Sequence, residues 1–226
     1  IGKSWLALWL GLCAAQGKPL WTFATRPCEV LYLCLEDSFQ RIQSRLFDLT
    51  EDAPPTLHFA VMSQQLHNGL VEQIEQFLKE HPQTRLIVID TLQRIRTAGN
   101  DANPYASDYR DIGVLKALAD KHRIAILLLH HLRKMNDDDP MNMISGTTGL
   151  SGATDSNFVL RKSQRRENTA TLYCTGRDIP YRELALEFDG EDHVWKLLSD
   201  DCEQTEQPSE RILFLLSELL RQPPEI

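Results

Sequence analysis

Long hydrophobic runs are missing from this sequence. The longest purely aliphatic stretch is Ile124 to Leu129, far short of the ~20 apolar residues that a membrane-spanning helix needs. Positive charge is also in short supply. The 24 Lys and Arg residues stand against 32 Asp and Glu, a formal net charge of -8. A dedicated binder of double-stranded DNA carries a basic face, so that class is disfavoured, and only a local basic loop remains open. Cysteine is sparse and odd in number. Cys13, Cys28, Cys34, Cys174 and Cys202 contain no CxxC spacing, which speaks against a disulfide framework and for buried, reduced thiols in a cytoplasmic protein. No signal-peptide pattern, internal repeat or extended low-complexity segment is visible.

What is present is the balance of an ordinary globular chain. Over 226 residues, 42% are hydrophobic and 25% charged. That length buries a substantial core, enough for one full α/β domain and a small appendage. From Trp5 to Gln16 apolar and small residues dominate, and Gly17 and Pro19 end the pattern, so a buried helix with a glycine C-cap is expected. The runs Glu29–Leu35, Arg85–Asp90 and Ile124–Leu129 are near-continuously apolar, as strands covered on both faces are. A shorter strand is expected at Leu57–Met62. Helical spacing falls between them, over 38–49 with Ser38 as N-cap, over Leu70–Lys79, and over Tyr109–His122. Strands alternating with helices imply parallel crossovers and a doubly wound sheet with helices on both faces.

The pattern changes after His131. Residues 133–148 are polar, with Asp137–Asp139, Pro140 and Gly146, and read as a loop. Short strands then follow without helices, at Asn157–Leu160, Thr169–Cys174, Glu183–Phe188 and Val194–Leu197, and predict C-terminal antiparallel hairpins that extend the sheet. Residues 199–208 read as an acidic linker. A helix with Ser209 as N-cap is expected within 209–226, either closing the domain or beginning a winged helix.

Four elements carry chemistry. The chain opens with Ile1–Gly2–Lys3–Ser4, the last part of a GxxxxGK[ST] phosphate loop whose first half and preceding strand would lie upstream. The tripeptide is weak alone, but it stands immediately before a predicted helix, where backbone N–H groups and the helix dipole favour phosphate. There Gly2 lets the backbone approach, Lys3 reaches the β- and γ-phosphates, and Ser4 ligates Mg2+. Asp90 ends an apolar strand, where an open α/β sheet binds ligands. It suits a Walker B aspartate holding a magnesium-bound water, or a cap on the following turn. Glu36 ends another such strand and can take a proton from an attacking water. Asp37 beside it suits a helix N-terminal position better, and a charged pair capping that helix is the plainer alternative. His130 and His131 end the third strand. Successive strand residues face opposite ways, so a shared zinc ion is disfavoured. One of them suits a contact to the γ-phosphate, and the other a structural role.

Taken in order, the phrases IGKS at Ile1–Ser4, LYLCLED at Leu31–Asp37, LIVIDTLQRI at Leu86–Ile95 and LLLHHLRK at Leu127–Lys134 resemble the hexameric replicative helicase RepA family and its RecA-like relatives. The small-residue segment Ser145–Asp155 is similar to the one that follows the sensor strand there. The resemblance spans residues 1–198 and implies a RecA-like ATPase domain binding ATP and Mg2+. By this resemblance Lys3 and Ser4 are the Walker A pair, Asp90 the Walker B residue, Glu36 the catalytic base and His131 the γ-phosphate sensor. It also implies a hexameric ring in which an arginine finger from the neighbouring subunit completes each site. Arg177 is the first candidate and Arg182 the second. Residues 145–155 contain no arginine, where some members of the family place one.

Single-stranded DNA is the implied partner, through Arg161, Lys162, Arg165 and Arg166 or through the 133–148 loop. The expected activity is Mg-dependent ATP hydrolysis on DNA, as a replicative or mobile-element helicase. The alternatives are a non-motor ATP-binding assembly or regulatory subunit and, less well matched by the β-rich tail, a small-molecule kinase.

Overall fold

In the computed structural model, residues 2–96, 103–131, 144, 148–162 and 167–202 are described. The chain runs α1 (Lys3–Gln16), β1 (Glu29–Cys34), α2 (Phe39–Leu49), β2 (Leu57–Ala60), α3 (Leu70–Glu80), β3 (Thr84–Asp90), α4 (Leu92–Ile95), α5 (Pro104–His122) and β4 (Ala125–Leu129). It continues through α6 (Thr148–Ala153), β5 (Ser156–Lys162), β6 (Thr169–Gly176), β7 (Arg182–Phe188) and β8 (Trp195–Cys202).

The first four strands form a parallel sheet in the order β2-β1-β3-β4. Register places Leu31 beside His58 and Ile87, and Val88 beside Leu127. Period-2 alternation sends Val30, Tyr32 and Cys34 to one face, where they pack with Leu8 and Leu12 of α1 and Ile42 and Leu46 of α2. Leu31 and Leu33 go to the other face, against Leu70 and Ile74 of α3 and Ile112 and Leu115 of α5. Both faces are therefore covered, which is why these strands lack polar alternation. Each fully buried Leu or Ile in such a layer contributes about 1.5–3 kcal/mol.

Local signals set the helix ends. Ser38 accepts a hydrogen bond from the Arg41 amide at 3.3 Å, and Asn103 caps α5 by accepting from Ala106 at 3.2 Å. Gly17 ends α1 with φ 66°, and a Cβ there would lie 2.9 Å from Pro27 Cδ. The short helices α4 and α6 had no sequence counterpart. A few residues each, they carry too little periodicity to register.

The expected antiparallel strands form a four-stranded sheet of their own, in the order β5-β6-β7-β8. The two sheets are joined by α1 rather than by a hydrogen-bonded ladder. One side of α1 faces the parallel sheet through Ala7, Leu8 and Leu12. Its other side places Leu6 and Trp9 against Leu184, Leu186 and Trp195 of the second sheet. A helix packed on two sides is apolar nearly all round, which explains the composition of the 5–16 stretch.

β8 runs on through 199–202, inside the stretch expected to be linker. The reason is chemical. Asp200 pairs in register with Leu184, and its carboxylate meets the buried Arg182 guanidinium at 3.1 Å. An acidic residue read as linker composition is the counter-ion of a buried cation. The expected helix within 209–226 lies outside the described residues, as do Arg165, Arg166 and most of 133–148. No helix among the described residues is long and apolar enough to cross a membrane. Burial holds the thiols of Cys13, Cys28 and Cys34 protonated, pushed up to about 11, and that of Cys174 to about 12.

Candidate active site

The C-terminal ends of β1, β3 and β4 converge on the N-terminus of α1. Gly2 is its N-cap, with φ 106°, a backbone that only glycine adopts without strain. Lys3 sits in the first turn, and its Nζ donates to the His130 carbonyl at 2.8 Å. Burial lowers the Lys3 ammonium from its ordinary value, while Asp90 and Glu36 act to raise it. A phosphate taking the place of that carbonyl would give this half-buried cation a full counter-charge.

Asp90 is buried at the end of β3. Its carboxylate accepts a hydrogen bond from Tyr32 Oη at 3.2 Å, and the Ser4 side chain lies near enough to influence it. Burial is the largest influence and pushes the Asp90 carboxyl above its ordinary value. The two hydroxyls pull it back, and Glu36 and Asp37 add repulsion. The Asp90–Thr91 peptide is cis. Ser4 and Asp90 thus bring a hydroxyl and a carboxylate to the same corner of the site. A hydroxyl and a carboxylate are the donor types that Mg2+ takes, so these residues fit that ion.

Glu36 lies just past β1 and is held from three sides. Thr91 Oγ1 donates to Oε1 at 3.1 Å. Arg94 Nε is 3.9 Å from Oε1, and His131 Nε2 is 3.6 Å from Oε2. Asp37 turns away into α2, where Arg41 lies at 3.2 Å and Arg45 forms a close ion pair with it. Glu36 thus stands beside Thr91 and His131, and Asp37 beside α2.

The two histidines divide as strand geometry requires. His131 is largely exposed and stands beside Glu36. His130 is partly buried and lowered from the ordinary histidine value, first by burial, then by Arg96 and Lys3. Its Nδ1 is a buried atom without a hydrogen-bond partner among the described residues.

A family model described as an AAA domain matches residues 1–137, the stretch that holds Lys3, Ser4, Glu36, Asp90 and His131. The chain belongs to the AAA domain family. Among solved structures, this AAA domain is similar to a DnaB-like replicative helicase described with its interactions with primase, at 16% identity and a TM-score of 0.58, covering 75% of this chain and 50% of that one. It is similar to the RadB recombinase, at 17% identity and 0.57, covering 88% and 86%. It is also similar to a structure described as an ATPase domain, at 16% identity and 0.58, covering 76% and 75%. Likeness at this identity speaks for the fold, which is RecA-like, as expected. No curated protein matches the sequence. By family and fold, the domain is a RecA-like P-loop ATPase domain.

Three residues around the site escaped the sequence reading. Tyr32 supplies a hydroxyl to Asp90, and the available signal was a tyrosine inside an otherwise aliphatic strand, since a buried phenol needs a partner. Thr91 orients Glu36 from the position next to Asp90. Trp195 reaches the site from the second sheet, its Nε1 donating to the Gly2 carbonyl at 3.1 Å. A contact across 193 residues has no local signature.

The basic candidates are placed differently. Arg177 follows β6, half exposed, with Asp155 at 3.5 Å and the Gly152 carbonyl at 3.5 Å. Arg182, the second candidate finger, is buried and ion-paired to Asp200 inside its own sheet, so it cannot reach a neighbouring subunit. Lys162 donates to the Glu167 carbonyl at 3.3 Å and lies 5.4 Å from the Trp195 ring centroid. Arg161, beside it on β5, points to the opposite face of that strand.

Proposed function

We propose that this AAA domain hydrolyses ATP with Mg2+ as one subunit of a hexameric ring acting on single-stranded DNA, in the manner of the RepA-type replicative helicases that its motifs resemble. The observation that carries this reading is the placement of the Lys3 ammonium, on the His130 carbonyl and within the influence of the Asp90 and Glu36 carboxylates.

In this reading Lys3 leaves the His130 carbonyl for the β- and γ-phosphates. Ser4 and Asp90 would hold Mg2+, which would supply positive charge beside the phosphates. Glu36, fixed by Thr91, takes a proton from water as that oxygen bonds to the γ-phosphorus. The bond from phosphorus to the β–γ bridging oxygen breaks, leaving ADP and inorganic phosphate. His131 stands beside Glu36 and senses whether the γ-phosphate is present. Arg177 swings from Asp155 to serve the neighbouring subunit's site, and DNA phosphates are met by the basic turn that Arg161 and Lys162 lead into and Arg165 and Arg166 belong to, or by the 133–148 loop.

Steady-state hydrolysis by the protein carrying a complete phosphate loop tests this. Glu36→Gln is expected to lose turnover by about 100- to 10,000-fold, the usual worth of a positioned base, while still binding ATP. Lys3→Ala is expected to lose both. Full activity in Glu36→Gln would sink the assignment. Arg177 is already engaged by Asp155 in its own chain, and this favours a second reading, a non-motor ATP-binding assembly or regulatory subunit. Strong stimulation of hydrolysis by single-stranded DNA speaks for the motor, and its absence for the second reading.

A further inference from the structure

At the opposite edge of the parallel sheet, the geometry points to a zinc site that the nucleotide chemistry does not use. Glu29 opens β1, His58 is the second residue of β2, and His81 caps the end of α3. Their candidate ligand atoms all lie within 4.8 Å of one another. His81 Nδ1 is 3.3 Å from Glu29 Oε1, and His58 Nε2 is 3.7 Å from the same oxygen. Four ligands at the usual zinc bond lengths of about 2.0–2.1 Å stand about 3.3 Å apart along each edge of a tetrahedron. The two spacings to the Glu29 oxygen match that edge or exceed it by a few tenths of an ångström.

The register explains why the three meet. Glu29 and Leu31 lie on the same face of β1, two residues apart, and His58 stands beside Leu31 in the neighbouring strand. That face is the one covered by α3, whose last turn delivers His81. Phe77, one turn earlier, stacks on the His81 ring with centroids 4.3 Å apart and meets His58 edge-on at 5.3 Å. The rings are thus held in place without a metal, as a preformed site requires.

Two buried atoms here lack hydrogen-bond partners among the described residues, His58 Nε2 and Glu29 Oε2. Leaving such atoms unpaired is costly, and a cation between them would satisfy both. Two imidazoles and one carboxylate suit zinc, with a water completing four-coordination. Magnesium and calcium prefer all-oxygen sets. β1 rises about 3.3 Å per residue, so Glu29 lies on the order of 20 Å from Glu36. The ion would tie β1, β2 and the α3–β3 corner together and take no part in hydrolysis.

Competitive titration of the full chain with zinc(II) against a chromophoric indicator, near neutral pH, tests the site. One tight equivalent is expected for the wild type, with affinity falling roughly 100-fold in the double variant His58→Gln/His81→Gln. Cobalt(II) in place of zinc should show the visible absorption of a four-coordinate ion in the wild type alone. Far-UV circular dichroism establishes that the variant is folded. Should it unfold, His81→Asn at the exposed helix end replaces it. Equal zinc affinity in wild type and variant, or no tight equivalent in the wild type, overturns the proposal, because the ion would then sit on thiols, on Asp90 or nowhere.

Discussion

At the C-terminal ends of its strands, the parallel sheet surrounds its ionised groups with partners. Lys3 has the His130 carbonyl, Asp90 has Ser4 and Tyr32, Glu36 has Thr91, and Asp37 has Arg41 and Arg45. The His130 Nδ1 is the orphan there among the described residues. At the N-terminal edge, Glu29 and two histidines crowd together with two orphaned atoms and, among the described residues, no lysine or arginine in their ion pairs. Both ends bury polar chemistry, but by different means. One is held by hydroxyls and a helix N-terminus, groups that yield readily to an incoming phosphate. The other is held by ring packing and by the contact of His81 Nδ1 with Glu29 Oε1 at 3.3 Å. The first arrangement suits a ligand that comes and goes, and the second suits an ion that stays.

The largest expected break in this comparison is Asp90→Asn. Removing the carboxylate should lower ATP turnover by roughly 100-fold or more, the scale seen when a preorganised electrostatic group is lost. The same change should stabilise the ligand-free fold by about 1 kcal/mol, a common trade at functional sites. The sign follows from linkage. The Asp90 carboxyl is raised from 3.8 by burial, so the folded chain holds that proton more tightly than the unfolded one. Stability from this group is complete below 3.8 and is lost as pH rises through the folded value. Urea denaturation across roughly pH 3–7 should show this fall in the wild type and not in Asp90→Asn. Zinc affinity should be the same in both.

Next in size is Gly2→Ala. A Cβ at Gly2 would stand 2.6 Å from Trp195 Cζ2, at a φ of 106°. The combined strain and clash should cost about 2 kcal/mol by denaturant titration. A companion Trp195→Leu change should recover the part due to the clash, leaving the part due to φ. Full recovery would mean that the left-handed backbone at Gly2 costs nothing, and no recovery that the indole gives way.

Tyr32→Phe is the smallest. Loss of one hydroxyl from a buried carboxylate should cost about 1 kcal/mol. Because that hydroxyl helps to hold the Asp90 carboxyl down, its removal should move the acid limb of the stability profile to higher pH. An unchanged limb would show that the Tyr32 hydroxyl has no hold on the charge of Asp90.

Much of one end was legible and almost none of the other. Lys3, Ser4, Glu36, Asp90 and His131 each stand at the end of an apolar run or the start of one, and strand ends on one edge of a parallel sheet meet by construction. Alternation alone separated His130 from His131. Glu29, His58 and His81 come from a strand start, a strand interior and a helix end, with no spacing in common. Only the register of β1 against β2 and the length of α3 bring them together. The Arg182 partner, Asp200, was not legible because it sat in a stretch whose acidity imitated a linker. Trp195 fell inside the strand expected at Val194–Leu197, but its place against Gly2 depends on a contact across 193 residues.

The packing of α1 between two sheets gathers all four tryptophans of the chain into one seam. Trp5 stacks on His193, Trp9 meets Trp21 edge-on, and Trp195 lies under Gly2. The ultraviolet emission of this protein therefore originates in a single layer, the one that carries the phosphate-binding turn. The protein has its own lamp beside Lys3, while the far edge of the sheet, where Glu29 sits, is dark.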